Sequence, residues 1–228
     1  MKKNVKIAIE AVLLIACIGL VFAIYKSIMQ PVEFNRQKEY RESVAIQRLK
    51  DIRTLQVAFK SVYGRFSPTA DSLVNFYNNG KMEIQMQVGS KDDSLAWANT
   101  EKLRKQGLKD ADLLQRYLAG EKNLVFAIKQ PIAVKDTLFR SRTDFCVDSL
   151  RYIPFSGGEQ VQIHAVIKPV SGVNVPLFEA NMPYYLLLKG LNEQLIINLG
   201  AEREDQNKYN GLQVGSINAP NNNAGNWE

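Results

Sequence analysis

Residues Ile7 to Tyr25 read IAIEAVLLIACIGLVFAIY and are apolar throughout apart from Glu10. Coiled as a helix rising about 1.5 Å per residue, this stretch matches a hydrocarbon core of about 30 Å. Lys2, Lys3 and Lys6 precede it, and Tyr25 and Lys26 close it with an interfacial ring and a snorkelling cation. A cleaved signal peptide would need a shorter apolar run and a small-x-small site, which Ile24-Tyr25-Lys26-Ser27-Ile28 lacks. The expectation is an uncleaved single-pass anchor over residues 1–30. Three lysines in so short a stub favour a cytoplasmic N-terminus, although Lys26, Arg36, Lys38 and Arg41 nearly balance the count.

Glu10 is the costly residue of the span. A carboxylate in hydrocarbon marks an interaction site by default, so Glu10 is a candidate intramembrane contact. The rival reading places it within one turn of the interface, near Lys6, where it reaches headgroup water.

Outward from the anchor, Pro31 is expected to break or restart the helix. An amphipathic helix then spans Asn35–Tyr63 within residues 31–66. Its stripe of Ile46, Leu49, Ile52, Leu55, Phe59 and Val62 recurs at three- and four-residue spacing. Such a stripe serves either as the core face of the following domain or as a seam for a partner helix. Gly64 supplies the left-handed C-cap.

Residues 67–228 are expected to form the α+β domain. A short helix through Phe76 precedes the Asn78-Asn79-Gly80 turn, and Lys81 to Val88 alternates as a half-buried strand. About residues 90–123 the composition turns charged and helical, a helical excursion or flap with Asp110 as N-cap and Leu113, Leu114, Tyr117 and Leu118 as its apolar face. Strand character returns at Leu124–Ile128 and Ile132–Val134, separated by Pro131, and again at Val161–Ile167. Pro176 argues for an edge position in the strand Val173–Phe178. Tyr184–Leu199 fits either a helix or a hairpin. After Gly211–Ser216, an Asn-rich tail is expected as loop, pinned by Trp227. Asp71-Ser72-Leu73 and Asp148-Ser149-Leu150 each lead through aromatics and a turn into an alternating strand, which suits two pseudo-repeated lobes or a chance echo.

Composition narrows the chemistry. The chain has 228 residues and a net charge of +6, with acidic and basic residues interleaved, which argues against a nucleic-acid surface. Cys17 lies in the anchor, leaving Cys146 as the one thiol of the domain; the run Phe145-Cys146-Val147 suggests a small core residue. His164, the only histidine, falls on the strand face opposite Val161, Ile163, Ala165 and Ile167. One histidine and one such cysteine do not build a usual zinc site, and no nucleophile elbow, Walker loop or dinucleotide fingerprint is present. The pairs Asp92–Asp93 and Glu202–Glu204 are expected as solvated surface. No catalytic, cofactor-binding or metal-ligating residue is assigned, and no cofactor is expected.

Glu10 with Gly19, then Ala58, Phe59, Tyr63, Gly64, Phe66, Pro68 and Leu73, and finally Gly225-Asn226-Trp227-Glu228 carry a likeness. Over about the first 75 residues and the last few, the chain resembles type IV pilin-like proteins, in particular the pseudopilins of type II secretion. The resemblance implies a long N-terminal helix packed on a small antiparallel sheet, a bacterial inner-membrane anchor and a periplasmic domain. It departs from that pattern at the processing site, where Val5 and Lys6 replace the glycine and phenylalanine that prepilin peptidase needs, and at the displaced Pro31. The function it implies is a non-enzymatic structural subunit of an envelope-spanning machine, pilin-like or assembly-platform-like. Its partners would be the membrane and other protein subunits, with self-association included. The alternative from a different class is a membrane-tethered periplasmic ligand-binding protein or hydrolase closed by the 90–123 flap.

Overall fold

The computed structural model describes residues 2–228. One α-helix, α1, runs unbroken from Lys2 to Tyr63, 62 residues, and is about 93 Å long at 1.5 Å per residue. Pro31 lies inside it, so the expected break does not occur. Proline removes one backbone bond and crowds one carbonyl, a local cost of about 3 kcal/mol. Helical bonding continues on both sides, and Phe34 is already buried one turn further on. The apolar stretch and the amphipathic helix are therefore one element rather than two segments meeting near residue 31.

Gly64 ends α1 at φ +70°, and its N–H donates to the Lys60 carbonyl at 2.8 Å. The chain then turns back under the control of buried Gln56. Its side chain accepts from Ser67 N and donates to Ser67 O, both at 2.8 Å, so the returning loop is held as a strand partner would hold it. Thr69 caps α2 (Ala70–Asn79), which lays Leu73 and Phe76 on α1. Phe59 and Phe76 meet edge to face at 5.2 Å between ring centroids.

Two small antiparallel sheets follow. The first pairs β1 (Lys81–Val88) with β2 (Phe126–Ala133) residue for residue. Pro131 does not divide β2 as expected; it sits opposite Glu83 within the ladder. A two-stranded sheet has two outer edges, and a missing donor on such an edge interrupts nothing. Between the strands lie α3 (Ser94–Lys105) and α4 (Asp110–Leu118), the expected helical excursion. The N-cap of α4 is Lys109 rather than Asp110, and Asp112 accepts from the Lys109 N–H at 2.9 Å. Val88, Leu103, Leu113, Leu124 and Phe126 make a small core of their own, separate from the main one.

The second sheet has the order β3 (Gln162–Val170), β4 (Val173–Pro183), β5 (Gly211–Gly215). Here β4 is central, against the edge reading of Pro176. Pro176 nevertheless pairs only with Ile167, because β5 covers just Glu179–Pro183. Tyr184–Leu199 resolves as helix: α6 (Tyr184–Leu187), a break with Gly190 at φ +85°, and α7 (Glu193–Asp205). A four-residue helix α5 (Val134–Thr137) follows β2, and a 3-10 turn spans Val147–Arg151. The two Asp-Ser-Leu copies differ locally, the first in the opening turn of α2 and the second in the 3-10 turn. Both aspartates accept from Arg151, Asp71 from Nε at 2.6 Å and Asp148 from Nη1.

The main core gathers the second half of α1, α2, β4, β5 and α6, with Phe178, Tyr184, Leu187 and Leu188 among its most enclosed side chains. The C-terminal tail is pinned as expected. Trp227 packs against this core, Val214 bridges Gly225, and Arg53 pairs with Glu228 at 2.7 Å. A Cβ on Gly225 would lie 2.3 Å from the Trp227 ring, so the close approach requires glycine.

Candidate functional site

α1 is long and apolar enough to cross a membrane, and none of its most apolar window is buried by the rest of the chain. Val12 to Val32 all project from a bare helix, as do Ile7 and Glu10. Glu10 is thus brought to no other described group, and the Lys6 side chain expected beside it lies outside the described residues.

The partner-helix stripe is placed elsewhere. Leu49, Ile52, Leu55 and Phe59 are buried in the chain's own core and Ile46 packs against it, so no free seam remains for another helix. The reason is the backfolded domain, which lays α2, β4 and β5 on this face. Val62 departs from the stripe at 39% exposure, because α1 ends one residue later.

What α1 does offer is a polar cleft of about 300 Å³ on its flank, lined by Ser43, Gln47, Arg48 and Asp51 and by Arg142, Asp144, Cys146 and Ser149. Asp51 is buried, accepts from Arg142 at 2.5 Å and from Gln47 at 3.0 Å. Burial pushes its carboxyl above the ordinary range, against the opposing pull of Gln47 and Arg142. Arg142 is raised in turn, first by its hydrogen bond to Asp144. Arg48 donates to the Tyr152 carbonyl at 2.5 Å, and desolvation lowers its pKa. Cys146 is exposed at the rim rather than buried. It precedes the 3-10 turn, whose Leu150 takes the core position that the apolar run around Cys146 suggested for the thiol. The arrangement can hold a small polar or anionic group beside a guanidinium and a thiol.

A second polar knot stands on the other side of α1. Tyr184, buried on α6, donates to Glu42 at 2.5 Å and accepts from Arg203 at 2.9 Å. Burial, then Glu42, drives its hydroxyl pKa up. Tyr184→Phe leaves both partners short of a bond, and a loss of about 1–3 kcal/mol in urea unfolding is expected. Neither knot was legible in the sequence. Arg142 and Asp51 are 91 positions apart, and no spacing rule joins them.

The remaining residues singled out from sequence take structural places. Asp93 caps α3 by accepting from Leu95 N and Ala96 N, and Asp92 accepts from the Ser90 hydroxyl. Glu202 and Glu204 are exposed on α7, and His164 is exposed on β3 opposite the buried Val161 and Ile163. Ile167, expected to share their buried face, is exposed at the far end of the hairpin. The α3–α4 excursion sits on the far end of the β1–β2 hairpin over its own core and does not cover the Arg48 cleft. Among the described residues, no group of three or more His, Cys, Asp and Glu side chains is placed to hold a metal ion. Compared with family models, with curated proteins and with solved structures, the chain matches none.

Proposed function

We propose that the chain is a non-enzymatic, membrane-anchored structural subunit of an envelope-spanning machine of the type II secretion or type IV pilus kind. The anchor sits in a bacterial inner membrane with the domain on the periplasmic side, and neighbouring subunits, copies of itself included, are its partners. One observation carries this reading. α1 is a single unbroken helix whose first half is bare and apolar and whose second half packs into the core of the domain. A tether for a diffusing enzyme needs no such continuity, whereas a subunit held in register by its neighbours does. The pairing of a long helix with the small β3–β4–β5 sheet also fits the layout that the resemblance implies.

The test is photocrosslinking in cells from Leu14, 62% exposed in the anchor, and from Val57, 49% exposed on the outer face of α1. Adducts to itself or to secretion components are the expected result, and Glu10→Gln should reduce those from Leu14 several-fold. Monomer from both positions would overturn the reading. A tethered ligand-binding protein is the second reading, favoured by the cleft at Arg48 and Arg142.

A further inference from the structure

Sheet edges are where chains meet, because an outer strand presents unpaired N–H and C=O groups. Of the four outer edges here, β5's is closed by the chain's own tail. Gly215 N donates to Ala224 O at 3.0 Å, Asn226 N donates to Gln213 O at 2.9 Å, and the Asn226 amide holds Gly211 O and Gln213 N. β2 is blunted by Pro131, and β3 by Pro169, one residue before its end. β1 lacks these devices apart from the charges of Lys81 and Glu83, which the pairing below sets against glutamines. It carries no proline, pairs one to one with β2 from end to end, and no hydrogen bond among the described residues reaches its main chain from any other element.

The sheet that owns this edge is also short of strands. Two strands alone are marginal in water, and stability usually comes with a third or with a packed face. One face of the hairpin carries Met82, Ile84, Met86, Ile128 and Ile132, all only half-buried. Met82 belongs with the main core and Met86 with the small one, so the stretch between them is the thinly covered part.

The geometry points to a second copy of this chain pairing antiparallel with β1, edge to edge, to make one four-stranded sheet. This rests on the reading of the chain as an assembling subunit and names the surface. Strand parity fixes the register. Centring the pair between Ile84 and Gln85 uses the whole of β1 but sets Met82 against Gln87, apolar face against polar. Moving the two-fold onto Ile84 or Gln85 restores the faces over Lys81–Gln87 or Met82–Val88. On Ile84, Met82 faces Met86, Glu83 faces Gln85 and Lys81 faces Gln87; on Gln85, Ile84 faces Met86 and Glu83 faces Gln87. Neither register sets like charges directly opposite each other. Two-fold pairing of this kind is isologous, so it closes at a dimer through this edge.

A residue on the two-fold faces its own copy at about 4.5–5.5 Å between Cα atoms, within disulfide reach. Full-length chain in native membranes, with Cys17→Ser and Cys146→Ser, is given one cysteine at a time: Ile84→Cys, Gln85→Cys, Lys129→Cys on β2 or Ala165→Cys on β3. After mild oxidation, Ile84→Cys or Gln85→Cys should yield covalent dimer roughly tenfold above Lys129→Cys. Equal yields at all four positions, dimer from Ala165→Cys alone, or monomer throughout would each overturn the proposal. Leu14 photocrosslinking in the same membranes separates the two ideas: adducts from Leu14 without a β1 dimer defeat the edge pairing and leave the subunit reading standing.

Discussion

Phe178→Ala should cost about 3–5 kcal/mol, the largest loss expected from any single truncation in the chain. Phe178 has no exposed surface, sits on the central strand β4, and lies 4.7 Å from the Phe66 ring. Deleting the ring removes its transfer free energy and leaves a cavity. Its surroundings are fixed by strand pairing and can collapse little: Ala165 sits opposite on β3, and Gly215 packs its backbone against the Phe178 carbonyl. Urea unfolding of detergent-solubilised full-length chain, followed by fluorescence of Trp227 on the same core, reads the change. Phe178→Leu should lose well under half as much, and an equal loss from both would mean that ring volume is not what the site needs.

Arg142→Ala should cost about 2–3 kcal/mol near neutral pH, between the ranges for exposed and buried pairs, because Arg142 keeps 26% of its side-chain exposure and Asp51 only 9%. The loss depends on pH in a stated direction. Asp51 already has a folded-state pKa above its unfolded value of about 3.9, so the native state binds the proton more tightly. Ionising Asp51 therefore withdraws stability as pH rises through that window. Removing Arg142 raises the folded pKa further, because its charge and hydrogen bond both favour the carboxylate. The deficit of the variant should thus be greatest above the new pKa and shrink as pH falls toward the ordinary carboxylate value. A deficit independent of pH would mean that Arg142 contributes by packing alone.

The parts legible in the sequence are those with local causes. The β1 alternation, the Gly64 cap, the helical excursion and the apolar N-terminal helix each depend on residues within a few positions of one another. Prolines misled because their penalty is local while their tolerance is not. Pro31 is carried by a helix continuing on both sides, Pro131 by an outer edge, and Pro176 by a neighbour strand that stops short of it. Cys146 misled because its flanking Phe145 and Val147 pack against the core while its own side chain is left exposed. The polar cleft and the Glu42–Tyr184–Arg203 knot were invisible for a related reason, since each joins α1 to segments that only the backfold brings near.

The unbroken passage of α1 through Pro31 joins its apolar half to the domain as one element. The part of α1 beyond Tyr25 is about 57 Å long at 1.5 Å per residue, so with the apolar half in a bilayer, as proposed, a tilt of about 20° would swing its far end sideways by roughly 20 Å. Rotation of such a span about its own axis would turn the domain with it, because α1 is unbroken between the two. On the proposed anchoring, bilayer thickness and whatever packs against the apolar half would then set which neighbours the domain can touch.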